Sequence, residues 1–282
     1  MTPPLPHLIV EPMVRAALAE DLGRAGDITT DAIVPPEARA HTALVARQPG
    51  VVAGLDFSLA AFRLIDPAIE ARVERPDGSR IEPGAIIATL RGPARGMLTA
   101  ERVALNFLCH LSGIASATAS IADAIRGHRA RVCCTRKTMP GLRAAQKYAV
   151  RVGGGSNHRF GLDDAVLIKD NHVAIAGGIR GALERARAAV GHLVKIELEV
   201  DTLQQLREAL EIGVDAVLLD NMSPEMLREA VGIVDRRAIT EASGRITPAT
   251  APAVAATGVD LISIGWLTHS AAVLDIGLDN IP

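Results

Sequence analysis

The chain has 282 residues and a mass of 29.6 kDa, which is enough for one large and one small α/β domain, and 49% of its residues are hydrophobic. A formal net charge of −2 and an aromatic content of only 2% argue against a nucleic-acid-binding protein, because such proteins usually carry a basic surface and stacking rings. Three cysteines without metal-ligand spacing, an N-terminus unlike a signal peptide and the lack of an apolar run of membrane-spanning length predict a soluble cytoplasmic protein.

The first third of the chain carries the signals of a small mixed domain. Apolar positions at helical spacing predict a helix over residues 11–22. From residue 40 to residue 91, short alternating runs are separated by Pro and Gly turns and interrupted by one helix over about 57–65. Thr99 then acts as the predicted N-cap of a long helix that carries Arg102 in its first turn. Together these signals predict an α+β domain with an antiparallel sheet.

The stretch from Arg131 to His172 is unusually rich in cations. Two apolar runs, at residues 131–135 and 165–168, each end on basic residues, and a helix-length segment lies between them, which predicts a βαβ unit. A single Lys or Arg more often belongs to a solvated surface, but cations at the ends of apolar strands favour an anion site. The basic residues of the stretch include Arg136, Lys137, Arg143, Lys147, Arg151, His158, Arg159 and Lys169.

Strand and helix signals alternate regularly from this stretch to Gly265. The run from Val194 to Val200 alternates strictly and puts Glu197 and Glu199 on one face. Repeated strand and helix units imply parallel strands, either in an α/β barrel or in an open doubly wound sheet, and about six strands suggest that a barrel would be incomplete. No Gly-x-Gly-x-x-Gly motif opens a helix, which disfavours a dinucleotide-binding fold.

Polar residues fall at the predicted carboxyl ends of these strands, where barrel enzymes build their active sites. Glu199 and Asp220 end successive strands and can either hold Mg²⁺ or neutralise neighbouring cations. The loops at Ser243-Gly244 and Gly265 can cradle a phosphate through backbone N–H groups, although a small residue after a strand is often only a turn. The pattern predicts a barrel enzyme with a cationic half-site, a carboxylate half-site and a phosphate loop, acting on a polyanion.

Two other functions fit parts of this pattern. A Schiff-base aldolase on a similar barrel would use Lys169 as its nucleophile, and borohydride trapping with a carbonyl substrate would reveal it. A non-catalytic phosphate-ligand binder would keep Ser243 and Gly265 but would not need Glu199 together with Asp220.

Short motifs spread over nearly the whole chain are similar to those of one enzyme family. They are Glu20-Asp-Leu-Gly, Gly26-Asp-Ile-Thr-Thr, Glu101-Arg, Thr135-Arg-Lys-Thr, Gly153-Gly-Gly-Ser-Asn-His-Arg, Leu167-Ile-Lys-Asp-Asn-His, Glu197-Leu-Glu-Val, Leu219-Asp-Asn, Glu241-Ala-Ser-Gly and Ile264-Gly. In this order they resemble the quinolinate phosphoribosyltransferases, the decarboxylating enzymes of NAD biosynthesis. One departure is Arg245, which stands where the family usually has a further glycine.

The resemblance implies a reaction, a fold and an assembly. Quinolinate and 5-phosphoribosyl 1-pyrophosphate would become nicotinate mononucleotide, pyrophosphate and carbon dioxide, with Mg²⁺ as the cofactor. Residues 1–113, completed by the segment 270–282, would form an N-terminal α/β sandwich, and residues 114–269 would form an open α/β barrel of about seven strands. The family's usual assembly is a homodimer or larger oligomer with shared active sites.

The resemblance also implies three groups of site residues. The quinolinate clamp would consist of Arg102, Arg136, His158, Arg159 and Lys169. The catalytic groups around the ribose and the pyrophosphate would be Lys137, Glu199 and Asp220, of which Glu199 and Asp220 would bind the metal. The 5′-phosphate cradle would consist of Ser243, Gly244, Gly265 and His269. In this arrangement Arg102 would serve the site of the neighbouring subunit.

Overall fold

In chain order, helices and strands alternate along the computed structural model, which describes residues 2–281. The elements up to residue 124 are α1 (His7–Leu22), α2 (Ile28–Ile33), β1 (Arg39–Ala46), β2 (Gly50–Val51), α3 (Leu55–Ile65), β3 (Glu70–Val73), β4 (Arg80–Ile81), β5 (Ile86–Pro93) and α4 (Ala94–Ala124). The remaining elements are β6 (Arg131–Cys133), α5 (Arg143–Val152), β7 (Val166–Ile168), α6 (Asp170–Ala176), α7 (Ile179–Ala189), β8 (Ile196–Val200), α8 (Leu203–Ile212), β9 (Ala216–Asp220), α9 (Pro224–Val234), β10 (Ile239–Ser243), α10 (Ala251–Ala255), β11 (Leu261–Ser263), α11 (Trp266–His269) and β12 (Ile276–Asn280).

The chain divides into two compact units. The first comprises residues up to 119, 139–154 and those from 270 onward, and the second comprises 120–138 and 155–269. This division differs from the expected boundaries, 1–113 with 270–282 and 114–269, because the segment that carries α5 belongs to the first unit. There Tyr148 donates a hydrogen bond of 2.7 Å to Asp77, and the Gln146 side chain lies 2.9 Å from a ring nitrogen of His110.

The first unit contains the predicted antiparallel sheet. Its four strands run in the order β12-β1-β5-β3, and all three pairings are antiparallel. The C-terminal strand pairs with β1, with Ile276 opposite Ala46. Leu44, Ile87 and Leu108 are fully buried beneath the sheet in one apolar cluster. This packing explains why the alternation in the sequence was informative, since one face of each long strand is covered.

The long helix α4 begins five residues earlier than predicted. It starts directly after Pro93, at Ala94, whose N–H is satisfied by the carbonyl of Ala38, so no side-chain cap is needed. The prediction that Thr99 is the N-cap was therefore wrong. Its hydroxyl instead donates to Asp27, which caps α2, and Arg102 lies in the third turn of α4.

Among residues 2–281, α4 is the one helix that is long and apolar enough, by length and composition, to cross a membrane. The prediction that no apolar run approaches that length was thus wrong for this helix. However, 61% of its most apolar window is buried inside the protein, as is typical of a core helix. Leu105, Leu108 and Leu111 are among its buried residues.

The second unit is built on a parallel sheet. Its six strands run in the order β6-β11-β10-β9-β8-β7, with helices connecting them, in agreement with the predicted α/β class. A single parallel bridge joins Ser156 to Cys133 of β6, where the resemblance implies a seventh strand. The strands β6 and β7 lie at opposite ends of the order, so the prediction that they form one βαβ unit was wrong. The helix between them belongs to the other unit, and a local pattern cannot reveal this.

Local signals in the second unit were more reliable. Ile196, Leu198 and Val200 are buried along β8, as strict alternation predicts for one covered face. Ser223 caps α9 by accepting the N–H of Met226. The turn at Thr247 precedes α10 rather than starting it, because the helix begins only at Ala251.

Candidate active site

The second unit contains a cavity of about 370 Å³ at the carboxyl ends of its strands. The cavity is lined by Thr135, Arg136, Lys137, His158, Arg159, Leu167, Lys169, Glu199, Leu218, Asp220, Glu241, Ser243 and Ser263. Parallel strands direct their carboxyl ends to one edge of the sheet, so residues far apart in sequence meet there. Eight residues predicted for the site lie in this lining, and four others, Arg102, Gly244, Gly265 and His269, do not.

Two arginines form the cationic side of the cavity. Arg159 donates to the carbonyl of Ala165 at 3.1 Å. Burial and then repulsion by Arg136 lower the pKa of Arg159, which shows that the two guanidinium groups repel each other. The Nε atom of Arg136 is buried and has no hydrogen-bond partner among the described residues. An anion in the cavity would relieve both conditions, because it would separate the charges and accept the buried N–H.

Lys169 and Glu199 form a direct ion pair on another side of the cavity. The Nζ of Lys169 lies 2.6 Å from Oε2 of Glu199, with the lysine side chain 48% exposed and the glutamate 14% exposed. The backbone N–H of Lys169 donates to Nδ1 of His172 at 2.9 Å, so this histidine positions the start of α6. Glu199 therefore has a cationic partner here, and either a metal ion or an anionic ligand would have to open the pair.

The ends of β9 and β10 meet at the carboxylate of Asp220. Ser243 is its neighbour in the register of the two strands, and the amide of Asn221 donates to Asp220 at 2.5 Å. Gly244 has φ of +115°, and a Cβ there would lie 2.4 Å from Oδ1 of Asn221, so both backbone conformation and space require glycine. Arg245 is exposed and also has a positive φ, 46°, so the loop holds this arginine in a conformation that glycine adopts more easily.

Gly265 and His269 lie beside Lys137 although they do not line the cavity. A Cβ at Gly265 would lie 2.8 Å from Cδ of Lys137 and 3.6 Å from Nε2 of His269. The main chain of Lys137 is held on both sides, because Thr268 donates to its carbonyl at 2.8 Å and Thr135 accepts its N–H at 3.0 Å. The lysine is therefore fixed close to the loop predicted to bind phosphate.

A buried acidic group beneath this lining was not assigned a role from the sequence. Nε2 of His158 lies 3.0 Å from Glu197 and 3.6 Å from Glu241, whose side chains are 12% and 2% exposed. Burial and then the charge of Glu197 raise the pKa of Glu241 to about 7. The signal was present in the sequence, because Glu197 is two residues before Glu199 and Glu241 is two before Ser243, which puts each pair on one face of its strand.

The donor atoms of these three residues all lie within 4.8 Å of one another, as donors around a metal ion often do. Here the positive charge is already supplied by protein groups, since the guanidinium of Arg159 interacts with Glu197. The imidazole nitrogen also makes the set unlike the all-oxygen coordination that Mg²⁺ prefers. Glu199 and Asp220 remain the carboxylates better suited to that ion.

Arg102 lies in the first unit. It is exposed on α4 and is not among the residues that line the cavity of the second unit. Its predicted role in a neighbouring subunit's site stays a prediction.

Comparison with known proteins identifies the family. Models of the N-terminal and C-terminal domains of quinolinate phosphoribosyl transferase match residues 27–112 and 114–279. The chain is 48% identical over 273 residues to nicotinate-nucleotide pyrophosphorylase (carboxylating) of Mycobacterium leprae (strain TN), covering 94% of this chain and 95% of that protein. It is 42% identical over 273 residues to the probable enzyme of that name in Bacillus subtilis (strain 168), covering 97% and 94%.

A crystal structure of NadC from Streptococcus pyogenes superimposes with a TM-score of 0.95 at 41% identity, covering 99% of this chain and 100% of that one. The structure of the nicotinate-nucleotide pyrophosphorylase from Francisella tularensis gives a TM-score of 0.94 at 38% identity, covering 99% and 98%. Both domain models, the relatives and the solved structures agree over nearly the whole chain. The chain belongs to the quinolinate phosphoribosyltransferase family.

Proposed function

We propose that this protein transfers the phosphoribosyl group of 5-phosphoribosyl 1-pyrophosphate to quinolinate with decarboxylation, giving nicotinate mononucleotide, pyrophosphate and carbon dioxide in de novo NAD biosynthesis. The observation that carries the proposal is one cavity in which the cations Arg136, Arg159 and Lys169 face the carboxylates Glu199 and Asp220. A dianionic acid and a metal-bound pyrophosphate are complementary to these two halves. Membership of the family supports the same reaction.

The cationic half would bind quinolinate. Its two ring carboxylates match the two guanidinium groups, because a guanidinium fork binds a carboxylate through two parallel hydrogen bonds. Arg136 has a buried Nε–H to offer, and Arg159 is held in place through Ala165. Lys169 and His158 would complete the clamp, with Lys169 leaving its ion pair with Glu199 as the ligand enters.

The carboxylate half would hold the metal. Glu199 and Asp220 supply oxygen donors from adjacent parallel strands into one cavity, which fits Mg²⁺, because this ion usually takes one or two carboxylates together with substrate oxygens. When bound, the ion would stabilise the negative charge that develops on the leaving pyrophosphate. Lys137 would add a fixed positive charge for the same group.

The loops after β10 and β11 would hold the 5′-phosphate. Ser243, Gly244 and Gly265 offer backbone N–H groups and a hydroxyl at strand ends, where phosphates commonly bind in barrel enzymes. The tight space at Gly265 keeps its backbone close to Lys137, and His269 lies on the same side. These four contacts would fix the ribose so that its C1 faces the quinolinate nitrogen.

We also propose a cytoplasmic homodimer or larger assembly with shared sites. Arg102 is exposed on α4, as a residue that serves a neighbouring subunit must be in a single chain. The cysteines Cys109, Cys133 and Cys134 are all free thiols, which suits a reducing compartment.

The two rival functions fit this geometry less well. A Schiff-base nucleophile must be a neutral amine in a desolvated site, whereas Lys169 is half exposed and paired with Glu199. A simple phosphate binder would have no need for two carboxylates facing the cations, because they would repel its ligand.

The test is pyrophosphate release from phosphoribosyl pyrophosphate and Mg²⁺, with quinolinate compared against nicotinate. Nicotinate lacks one carboxylate and would leave a clamp cation unpaired, at a cost of about 1–3 kcal/mol, or roughly 5- to 150-fold in kcat/KM. Quinolinate should therefore be strongly preferred. Equal turnover of both acids would contradict the assigned substrate, and release with neither would contradict the reaction.

A further inference from the structure

We propose that Glu241 is the acid that protonates C2 of the pyridine ring after carbon dioxide leaves. The inference rests on the proposed function and names the group that completes it. Glu241 lies on β10, lines the cavity and is 2% exposed, so a proton on it is shielded from bulk water and open to the ligand.

Decarboxylation requires such a group. When the bond between C2 and its carboxylate breaks, the electron pair stays on C2 as an ylide beside the positively charged ring nitrogen, and carbon dioxide departs. The product carries hydrogen at C2, so one proton must be delivered. Transfer from a Glu241 carboxylic acid would form the C–H bond and leave a carboxylate, which would regain its proton from solvent after the nucleotide is released.

Hydrogen bonding explains why the proton resides on Glu241 and not on its neighbour. Nδ1 of His158 accepts the backbone N–H of Arg159 at 2.8 Å, so the ring carries its hydrogen on Nε2. That nitrogen is 3.0 Å from Glu197 and 3.6 Å from Glu241, and Glu197 therefore receives the better hydrogen bond. Oε1 of Glu241 is buried without a hydrogen-bond partner among residues 2–281. A carboxylate without N–H donors is the one that stays protonated.

The groups around Glu241 support this state. Glu197 faces it with a negative charge and receives the charge of Arg159, while Cys133 and Ser263 offer only a thiol and a hydroxyl. Two carboxylates this close are not both readily ionised in a buried site, and the raised pKa of Glu241 reflects that. A neutral acid at this position also avoids repelling a dicarboxylate substrate.

The experiment separates the two chemical steps in a single turnover. Wild type and Glu241→Gln, which keeps the shape but loses the acidic proton, are mixed with phosphoribosyl pyrophosphate, Mg²⁺ and quinolinate labelled in its C2 carboxylate. Pyrophosphate and labelled carbon dioxide are then followed by rapid quench. Glu241→Gln should release one pyrophosphate per site at close to the wild-type rate, with carbon dioxide slower by about 100-fold or more.

Two variants serve as controls. Glu211→Gln makes the same change at an exposed position on α8 and should leave both rates unchanged. Glu241→Asp keeps an acid, one methylene further away, and should slow carbon dioxide release less than Glu241→Gln does. The proposal is overturned if Glu241→Gln releases carbon dioxide as fast as wild type, or if both products slow by the same factor. Lack of pyrophosphate release by wild type would instead refute the proposed function.

Discussion

Replacing Arg136 by lysine tests the cationic clamp directly. The change keeps a positive charge just after β6 but removes the planar fork of N–H donors, including the Nε–H that is buried without a partner. If a quinolinate carboxylate accepts that N–H, the variant loses at least one charge-assisted hydrogen bond. Such a bond contributes about 1.5–3 kcal/mol, which corresponds to a loss of about 10- to 150-fold in kcat/KM for quinolinate.

The measurement is a steady-state titration of each substrate in turn. The KM for phosphoribosyl pyrophosphate should change little, because Arg136 is not among the groups assigned to that substrate. Arg131→Lys is the matched control, since Arg131 is exposed at the other end of the same strand and does not line the cavity. The reasoning would be refuted if Arg136→Lys matched wild type, or if kcat/KM fell equally for both substrates.

Three further predictions concern other parts of the site. Mixing inactive Arg102→Ala and Lys169→Ala proteins under subunit exchange should recover roughly a quarter of wild-type activity, because half of randomly paired dimers are hybrids with one intact site; recovery of nothing would exclude a shared site. Glu199→Ala and Asp220→Ala should each lower Mg²⁺-dependent turnover by several powers of ten with little change in thermal stability, and an unaltered Mg²⁺ titration would argue against metal binding. The pKa of Glu241 is raised from 4.5 to about 7, so the folded state binds more protons than the unfolded state in that window. The stability of wild type should consequently fall relative to Glu241→Gln as the pH rises from 4.5 to 7, and parallel urea-unfolding curves at both pH values would disprove this.

Patterns that depend on a single element were predictable from the sequence. The alternation around Leu198 identified β8 and its charged face, and Ser223 identified the start of α9, because period-two burial and N-capping are local effects. The strand-end positions of Glu199 and Asp220 likewise predicted that both would reach one cavity.

Features that depend on distant parts of the chain could not be predicted in this way. The start of α4 is satisfied by the carbonyl of Ala38, more than fifty residues away, so the search for a side-chain cap led to Thr99. The segment with α5 packs through Tyr148 and Asp77 into the first unit, although its position between two parallel strands favoured a crossover. The trio around Glu241 combines two different strands and a loop, and only the fold brings them together.

The central claim is that this cavity joins quinolinate to the phosphoribosyl group and releases the C2 carboxylate. The most direct measurement is NMR of a complete reaction with purified protein, phosphoribosyl pyrophosphate, Mg²⁺ and quinolinate ¹³C-labelled at that carboxylate. The account predicts nicotinate mononucleotide, pyrophosphate and labelled carbon dioxide in equal amounts. It would be contradicted if the folded protein left quinolinate unchanged, or if phosphoribosyl pyrophosphate were merely hydrolysed.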